Sequence, residues 1–153
     1  MAGMSDTAPV LAHLKRKAPD AVVRVDLDER AYVFPAGRQV TQLQFLAFRP
    51  HMIAIEAVYA FNESRASPEL VQLPIEDARQ LARKLVESVY RAQPSQVVSR
   101  ETTLTLATVA NGYIIEFGAH ECPTTLMLST GCIWRVCNGL ARVIDMISPI
   151  AAN

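Results

Sequence analysis

Two stretches decide how this chain folds. Residues 101–119, ETTLTLATVANGYIIEFGA, alternate apolar and polar side chains on both sides of Asn111-Gly112. Such alternation marks half-buried strands, and Asn-Gly between two of them is the strongest short hairpin signal, because a type I′ turn needs positive φ at both central residues. The expectation is a turn centred on Asn111-Gly112. Residues 39–61, QVTQLQFLAFRPHMIAIEAVYAF, repeat the organisation: a run from Gln39 to Phe48, a turn at Arg49-Pro50-His51 and a run from Met52 to Phe61.

Each hairpin leads onward in the same way. The first continues through the polar loop NESRASPE into LVQL and a helix, the second through ECPT into TLML and another helix. Pro74 is expected at about the first helical position, where its missing N–H costs nothing, with Glu76 and Asp77 near the positive helix end. Ile75, Ala78, Leu81, Leu85 and Val89 fall on one face of that helix, opposite Glu76, Arg79, Gln80, Arg83, Lys84, Glu87 and Arg91. In the second copy Leu128-Ser129-Thr130 offers an N-cap, and Ile133, Val136, Leu140 and Ile144 repeat the spacing at an offset of about 55 residues until Ser148-Pro149 ends it.

Upstream of each hairpin lies a further β-rich stretch, AVVRVDLDERAYVF before the first and QVVSR before the second. The chain therefore reads as α+β: two tandem β-β-β-β-α units related by pseudo-twofold symmetry, with helices packed on antiparallel sheets. Residues 1–21 read as an N-terminal extension, partly flexible. Residues 22–153 read as one domain made of two repeats, 22–93 and 94–148.

Composition sets the limits on function. Of 153 residues 50% are apolar and 20% charged, which excludes disorder and provides a core. Fifteen basic residues balance fifteen acidic ones, so a surface built chiefly to grip phosphate backbones is not indicated. No apolar run approaches the roughly 20 residues that span a bilayer, so no membrane partner is expected. Lys15, Arg16 and Lys17 follow the first apolar stretch instead of preceding it, the wrong order for a secretory signal, and a cytoplasmic location is expected.

The two copies differ in charge. From Pro94 onward the charged residues are only Arg100, Glu101, Glu116, Glu121, Arg135, Arg142 and Asp145. The second helix carries Cys132, Trp134, Ala141 and Met146 outside its main stripe, so it is expected either at the centre of the fold or in a subunit interface. Trp134, Arg135 and Met146 are the candidate interface residues of a homodimer or higher homo-oligomer.

Catalytic chemistry is not legible. The chain has neither GxSxG nor a phosphate-cradling GxxxxGK[ST] or GxGxxG loop, and its histidines, His13, His51 and His120, are scattered. His120-Glu121-Cys122 are adjacent on an extended chain and point to opposite faces, so no metal site is expected there. Cys132 and Cys137 read as core thiols. Glu56 and Glu116 sit at matching places in the strands that follow the two turns, and read as carboxylates on a solvent face. No cofactor is expected.

A binding role is the remaining reading. Leu43, Phe45 and Ala47 alternate with Gln42, Gln44, Leu46 and Phe48, and Leu104, Leu106 and Thr108 with Thr103, Thr105 and Ala107. An amide- and hydroxyl-bearing sheet face can stack bases, with Arg38, Arg49 and Arg100 at its edges for phosphates. The candidate nucleic-acid-binding residues are Arg38, Gln42, Gln44, Arg49 and Arg100.

The paired hairpins, each leading to a helix beginning LPIEDARQLARKLV or LSTGCIWRVCNGLARVI, resemble in topology the PC4/Whirly-type single-stranded-DNA-binding transcriptional-regulator superfamily over about residues 22–148. The resemblance implies curved sheets about a pseudo-twofold axis with nucleic acid along their faces. The KGKAAL-like segment of that superfamily is absent, its basic N-terminal region is reduced to Lys15, Arg16 and Lys17, and no residue role carries over. The reading is a non-enzymatic binding module for single-stranded nucleic acid, with an oligomeric protein-interaction module as the alternative.

Overall fold

The longest strand organises the molecule. In a computed structural model that describes residues 18–61, 69–91, 94–98, 103–118 and 124–147, the strands are β1 (Ala21–Asp26), β2 (Tyr32–Phe34), β3 (Arg38–Phe48), β4 (Met52–Tyr59), β5 (Glu69–Pro74), β6 (Ser95–Val98), β7 (Thr103–Val109), β8 (Gly112–Gly118) and β9 (Thr124–Ser129). Helix α1 (Ile75–Arg91) follows β5 and helix α2 (Ile133–Ile147) follows β9. The C-terminal part of β3 pairs with β1 from Gln42 to Ala47, while its first two residues pair with β2. Thr41 bulges out of the β3–β4 ladder between these two parts. A bulge bends a strand and sharpens its twist, which lets one edge of β3 serve two neighbours.

The result is an antiparallel sheet of order β5-β4-β3-β2-β9-β8-β7-β6, with β1 as a further neighbour of β3. The first hairpin turns at Arg49-Pro50-His51, as its sequence indicates, with Phe48 opposite Met52. The second turns one residue earlier than its sequence suggests. Gly112 is already in the ladder opposite Val109, so the two turn residues are Ala110 and Asn111, and among the described glycines only Gly37 has positive φ. Gly112 is needed for another reason. It lies opposite Ser129 of β9, and a Cβ there would run into the Leu128 carbonyl. Close backbone approach, not turn geometry, requires glycine here.

Both helix starts also differ from their expected positions. Pro74 is the last residue of β5, opposite Met52, and α1 begins one residue later with the Ile75 N–H donating to the His51 carbonyl at 2.7 Å. Proline is tolerated there because β5 pairs on one side only, leaving no ladder partner for the missing N–H. Ser129 closes β9 instead of capping α2. The first helical acceptor is the Cys132 carbonyl, bonded by the Val136 N–H at 3.1 Å.

One continuous core forms inside the fold. Leu43, Phe45 and Ile55 from the first half meet Ile115, Phe117 and Leu126 from the second, closed over by Leu81, Leu85, Val136 and Leu140 of the helices. Burying a side chain of this size stabilises by roughly 1.5–3 kcal/mol, so the apolar alternation is the main driving force. The helices are exchanged across the fold: α1 packs on β6 and β7 as well as on β4 and β5, whereas α2 packs on β1 and β3. Gly139 allows that second contact, since a Cβ there would strike the Val25 side chain and come within 3.1 Å of Phe45. Helix α2 is buried along Ile133, Val136, Cys137, Gly139, Leu140, Val143 and Ile144. It does not sit at the centre, because Arg135, Asn138, Arg142 and Asp145 keep its other side in water, and Trp134 and Met146 are 48% and 45% exposed with them.

Candidate functional site

The two described helices lie on the inner face of the sheet, and the outer face presents the ladder rows. Side chains directly opposite one another in an antiparallel pair share a face. One outer row runs Arg24, Gln44, Glu56 and Glu69 across β1, β3, β4 and β5. The matching row of the other hairpin runs Gln96, Thr105, Glu116, Thr125 and Phe34 across β6, β7, β8, β9 and β2. Next to it lie Ala107, Ile114, Met127 and Tyr32. Glu56 and Glu116 thus occupy corresponding places, each facing away from the core.

The charges on the two halves of this face differ. On β1, β3, β4 and β5 stand Arg24, Asp26, Glu56 and Glu69, with Gln42 donating to the Asp26 carboxylate at 2.7 Å and Gln72 to Glu69 at 3.0 Å. On β6 to β9 and β2, Glu116 is the one charged group among the described outer side chains, surrounded by Thr103, Thr105, Thr125, Ile114 and Met127. Tyr32 and Phe34 stand together at its border with ring centroids 6.4 Å apart, Phe34 being 36% exposed.

The structure does not gather the residues singled out for nucleic acid into one site. Gln42 and Gln44 lie on the outer face. Arg38 lies opposite the buried Val33, stacks its guanidinium 3.7 Å above the Tyr59 ring and donates to the Phe61 carbonyl at 3.3 Å. Arg49 is in the β3–β4 turn, where its N–H donates to the Asp20 carboxylate at 2.6 Å. At about 3.3 Å per residue the two arginines are some 35 Å apart along β3. Arg100 lies outside the described residues, as do His13, His120, Glu121 and Cys122. Arg24, Asp26, Tyr32 and Phe34 were not picked out by sequence reading. The period-2 alternation of β1 carried the signal for the first two, but a three-residue strand such as β2 has too little periodicity to show one.

The proposed interface residues point in two directions. Trp134 meets Tyr90 of α1 edge to face, with centroids 6.1 Å apart. At 100° per residue Met146 is rotated about 120° from it around α2, on the side of Arg135, whose guanidinium donates to the Asp26 carbonyl at 3.3 Å. The helices run antiparallel, and a groove of about 730 Å³ opens between them, lined by Glu76, Arg79, Arg83, Ala141, Ile144 and Asp145. Its rim is neutralised in part by the Glu76–Arg79 and Arg83–Glu87 pairs.

A polar cluster joins the β1–β2 loop to the start of α2. The Ser129 hydroxyl donates to the Asp28 carboxylate, the Arg30 N–H donates to the same carboxylate at 2.9 Å, and the Asp28 N–H donates to the Cys132 sulfur at 3.3 Å. The Ser129 hydroxyl above all holds the Asp28 carboxyl below its usual range, against the opposing effect of burial. Burial pushes the Cys137 thiol up to about 11. Among the described residues no three of His, Cys, Asp and Glu come together as a metal site, and no helix is long and apolar enough to cross a membrane.

No family model, curated protein or solved structure matches the chain.

Proposed function

We propose that the chain is a non-enzymatic protein-interaction module, built from two tandem β-β-β-β-α units about a pseudo-twofold axis with β2 as an additional strand in the first, that associates with a second copy through the outer face of β7, β8, β9 and β2. Two correspondences support the tandem reading. The strand pairings β1-β3-β4-β5 and β6-β7-β8-β9 follow one pattern, with Phe45, Ile55 and Val71 in the places of Leu106, Ile115 and Leu126. Each helix also packs on the opposite unit's first two ladder strands, α1 on β6 and β7 and α2 on β1 and β3.

The observation that carries the partner assignment is the charge of that face. It shows water threonines, Ile114, Met127 and the Tyr32–Phe34 pair, with Glu116 as its charged group among the described residues. The described residues of this face include no cation that could replace the counterions of phosphates, which disfavours nucleic acid. A face of low charge with an apolar centre can meet a second copy of itself without opposing like charges over most of its area, as a twofold dimer requires.

Sedimentation velocity across a range of protein concentrations tests this reading. A monomer–dimer equilibrium abolished by Ile114→Lys supports it, and a monomer at every concentration, or a dimer that Ile114→Lys leaves intact, overturns it. The aromatic pair favours single-stranded nucleic acid as the second reading, since bases stack on such rings. Titration of a labelled single-stranded oligonucleotide separates the two: saturable binding that weakens with salt selects the second.

A further inference from the structure

Glu116 stands apart from every other carboxylate on the outer face. It is exposed, and its own row is Gln96, Thr105, Thr125 and Phe34. The next row is Ala107, Ile114, Met127 and Tyr32. Tyr32 is the other titratable group of these two rows, and it lies two strands, roughly 10 Å, from Glu116. Glu56, at the corresponding place of the first hairpin, instead shares its row with Arg24 and Glu69.

The strands of this face run in the order β2-β9-β8-β7, so its centre falls between β8 and β9. Strand β8 spans Gly112–Gly118, and its midpoint falls between Ile114 and Glu116. With strands about 4.8 Å apart and a rise of about 3.3 Å per residue, Glu116 is roughly 4 Å from the centre. Two copies meeting face to face have their twofold axis in the plane between the sheets. Whatever direction the axis takes in that plane, an axis through the centre brings the second Glu116 within roughly 8 Å of the first in projection. Side chains of the two sheets meet midway, and the core of such an interface excludes water.

Two carboxylates that close, cut off from water, cannot both ionise at small cost. Thr105 and Thr125 lie directly across from Glu116 on its two neighbours. Their hydroxyls can accept from a protonated carboxyl as readily as they donate to an ionised one, so the neutral form stays hydrogen-bonded when it is buried.

We propose that association through the outer face of β7, β8, β9 and β2, the reading on which this inference rests, is switched by protonation at Glu116. The dimer takes up a proton from solvent, shared between the two carboxylates, and returns it on dissociation. Because the dimer holds that proton more tightly than separate chains do, its advantage is complete in mild acid and is lost as the pH rises. Association is therefore tight near pH 5 and loosens toward pH 8.

Sedimentation equilibrium of the full-length chain, of Glu116→Gln and of Glu116→Thr at pH 5, 6, 7 and 8 and one ionic strength tests this. Far-UV circular dichroism shows that each protein is folded throughout. The Kd of the unaltered chain is expected to rise at least about fivefold from pH 5 to pH 8, one proton per dimer setting a ceiling of about tenfold per pH unit. Both variants are expected to dimerise over the whole range with a Kd that changes by less than about twofold, since neither has a proton to exchange at this position. A Kd of the unaltered chain that ignores pH overturns the proposal. So does a pH dependence that both variants retain, as a histidine would give.

Ile114→Lys distinguishes failure of the switch from failure of the interface. If it dissolves a dimer whose Kd ignores pH, association through the sheet face stands and the switch at Glu116 is overturned. A pH-dependent dimer that survives Ile114→Lys, or a monomer at every pH in all of these proteins, overturns both.

Discussion

The hydroxyl of Ser129 donates to the carboxylate of Asp28 across 101 residues of sequence, joining the loop after β1 to the last residue of β9, just ahead of α2. Helix α2 has no acidic residue in its own first turn, so Asp28 supplies the negative charge that favours a helix start. Ser129→Ala removes the main donor to Asp28 and is expected to cost about 1 kcal/mol by urea unfolding at neutral pH. Because the carboxyl is held below the ordinary value of 3.8 in the folded chain, its contribution is complete above that pH and is lost as pH falls from there toward the folded value. The unaltered protein should therefore lose stability more steeply than Ser129→Ala below pH 4. Parallel acid profiles would show that the bond contributes nothing.

Gly112 should tolerate no side chain. A Cβ there meets the Leu128 carbonyl, a backbone atom that cannot swing away, so Gly112→Ala is expected to destabilise by about 2 kcal/mol or more, in the range of overpacking in a fixed environment. Asn111→Ala, in the two-residue turn itself, should cost less. If the turn were centred on Asn111-Gly112 with positive φ at both, the two substitutions would cost similar amounts, and thermal melts of both variants decide between these geometries.

The contrast between these two glycine readings shows what was legible in the sequence. Asn-Gly placed a hairpin correctly because alternation on both sides fixes the strands. Its register slipped by one because crowding by β9, which arrives later in the chain, is not a local property. The first turn, Arg49-Pro50-His51, and the buried stripes Ile75 to Leu85 and Ile133 to Ile144 were readable because each depends on neighbours within a few residues. The exchange of helices between halves and the Asp28–Ser129 bond were not, since no local pattern encodes a pairing over such a distance. Residue type alone marks the candidate arginines in the sequence, and Arg38 and Arg49 lie apart because one begins β3 and the other follows its end.

Gly139 sets how closely α2 approaches β1 and β3. Gly139→Ala is expected to cost about 1–3 kcal/mol, since the added methyl meets Val25 and then Phe45. Val25→Ala removes the first obstacle while leaving a void of its own, so the double variant should be more stable than the sum of the two single effects predicts. Coupling of at least about 0.5 kcal/mol in a double-mutant cycle is the expected outcome, and additivity would mean that α2 sits farther from β1 than described.

Cys132 and Cys137 are both buried, and desolvation holds Cys137 as the unreactive thiol at neutral pH. Neither should be alkylated by iodoacetamide in the native protein, and both should react on unfolding in urea. Rapid native labelling of Cys137, mapped by mass spectrometry, would contradict the packing of α2 against the sheet.

The exchanged helices make the two halves of the chain thermodynamically dependent. Leu81 of α1 and Leu140 of α2 line one small internal space together with Ile115 and Phe117 of the second hairpin and Leu43 and Phe45 of the first, all within one cluster. Removing either leucine therefore damages the core of both halves. Leu81→Ala and Leu140→Ala are each expected to cost about 2–5 kcal/mol. In each variant the unfolding midpoint followed by Trp134 fluorescence, which reports on α2, should coincide with the midpoint followed by far-UV circular dichroism, which reports on both halves. Separate transitions, with Leu81→Ala moving only one of them, would mean that each half carries its own core and that the exchange of α1 and α2 contributes little to stability.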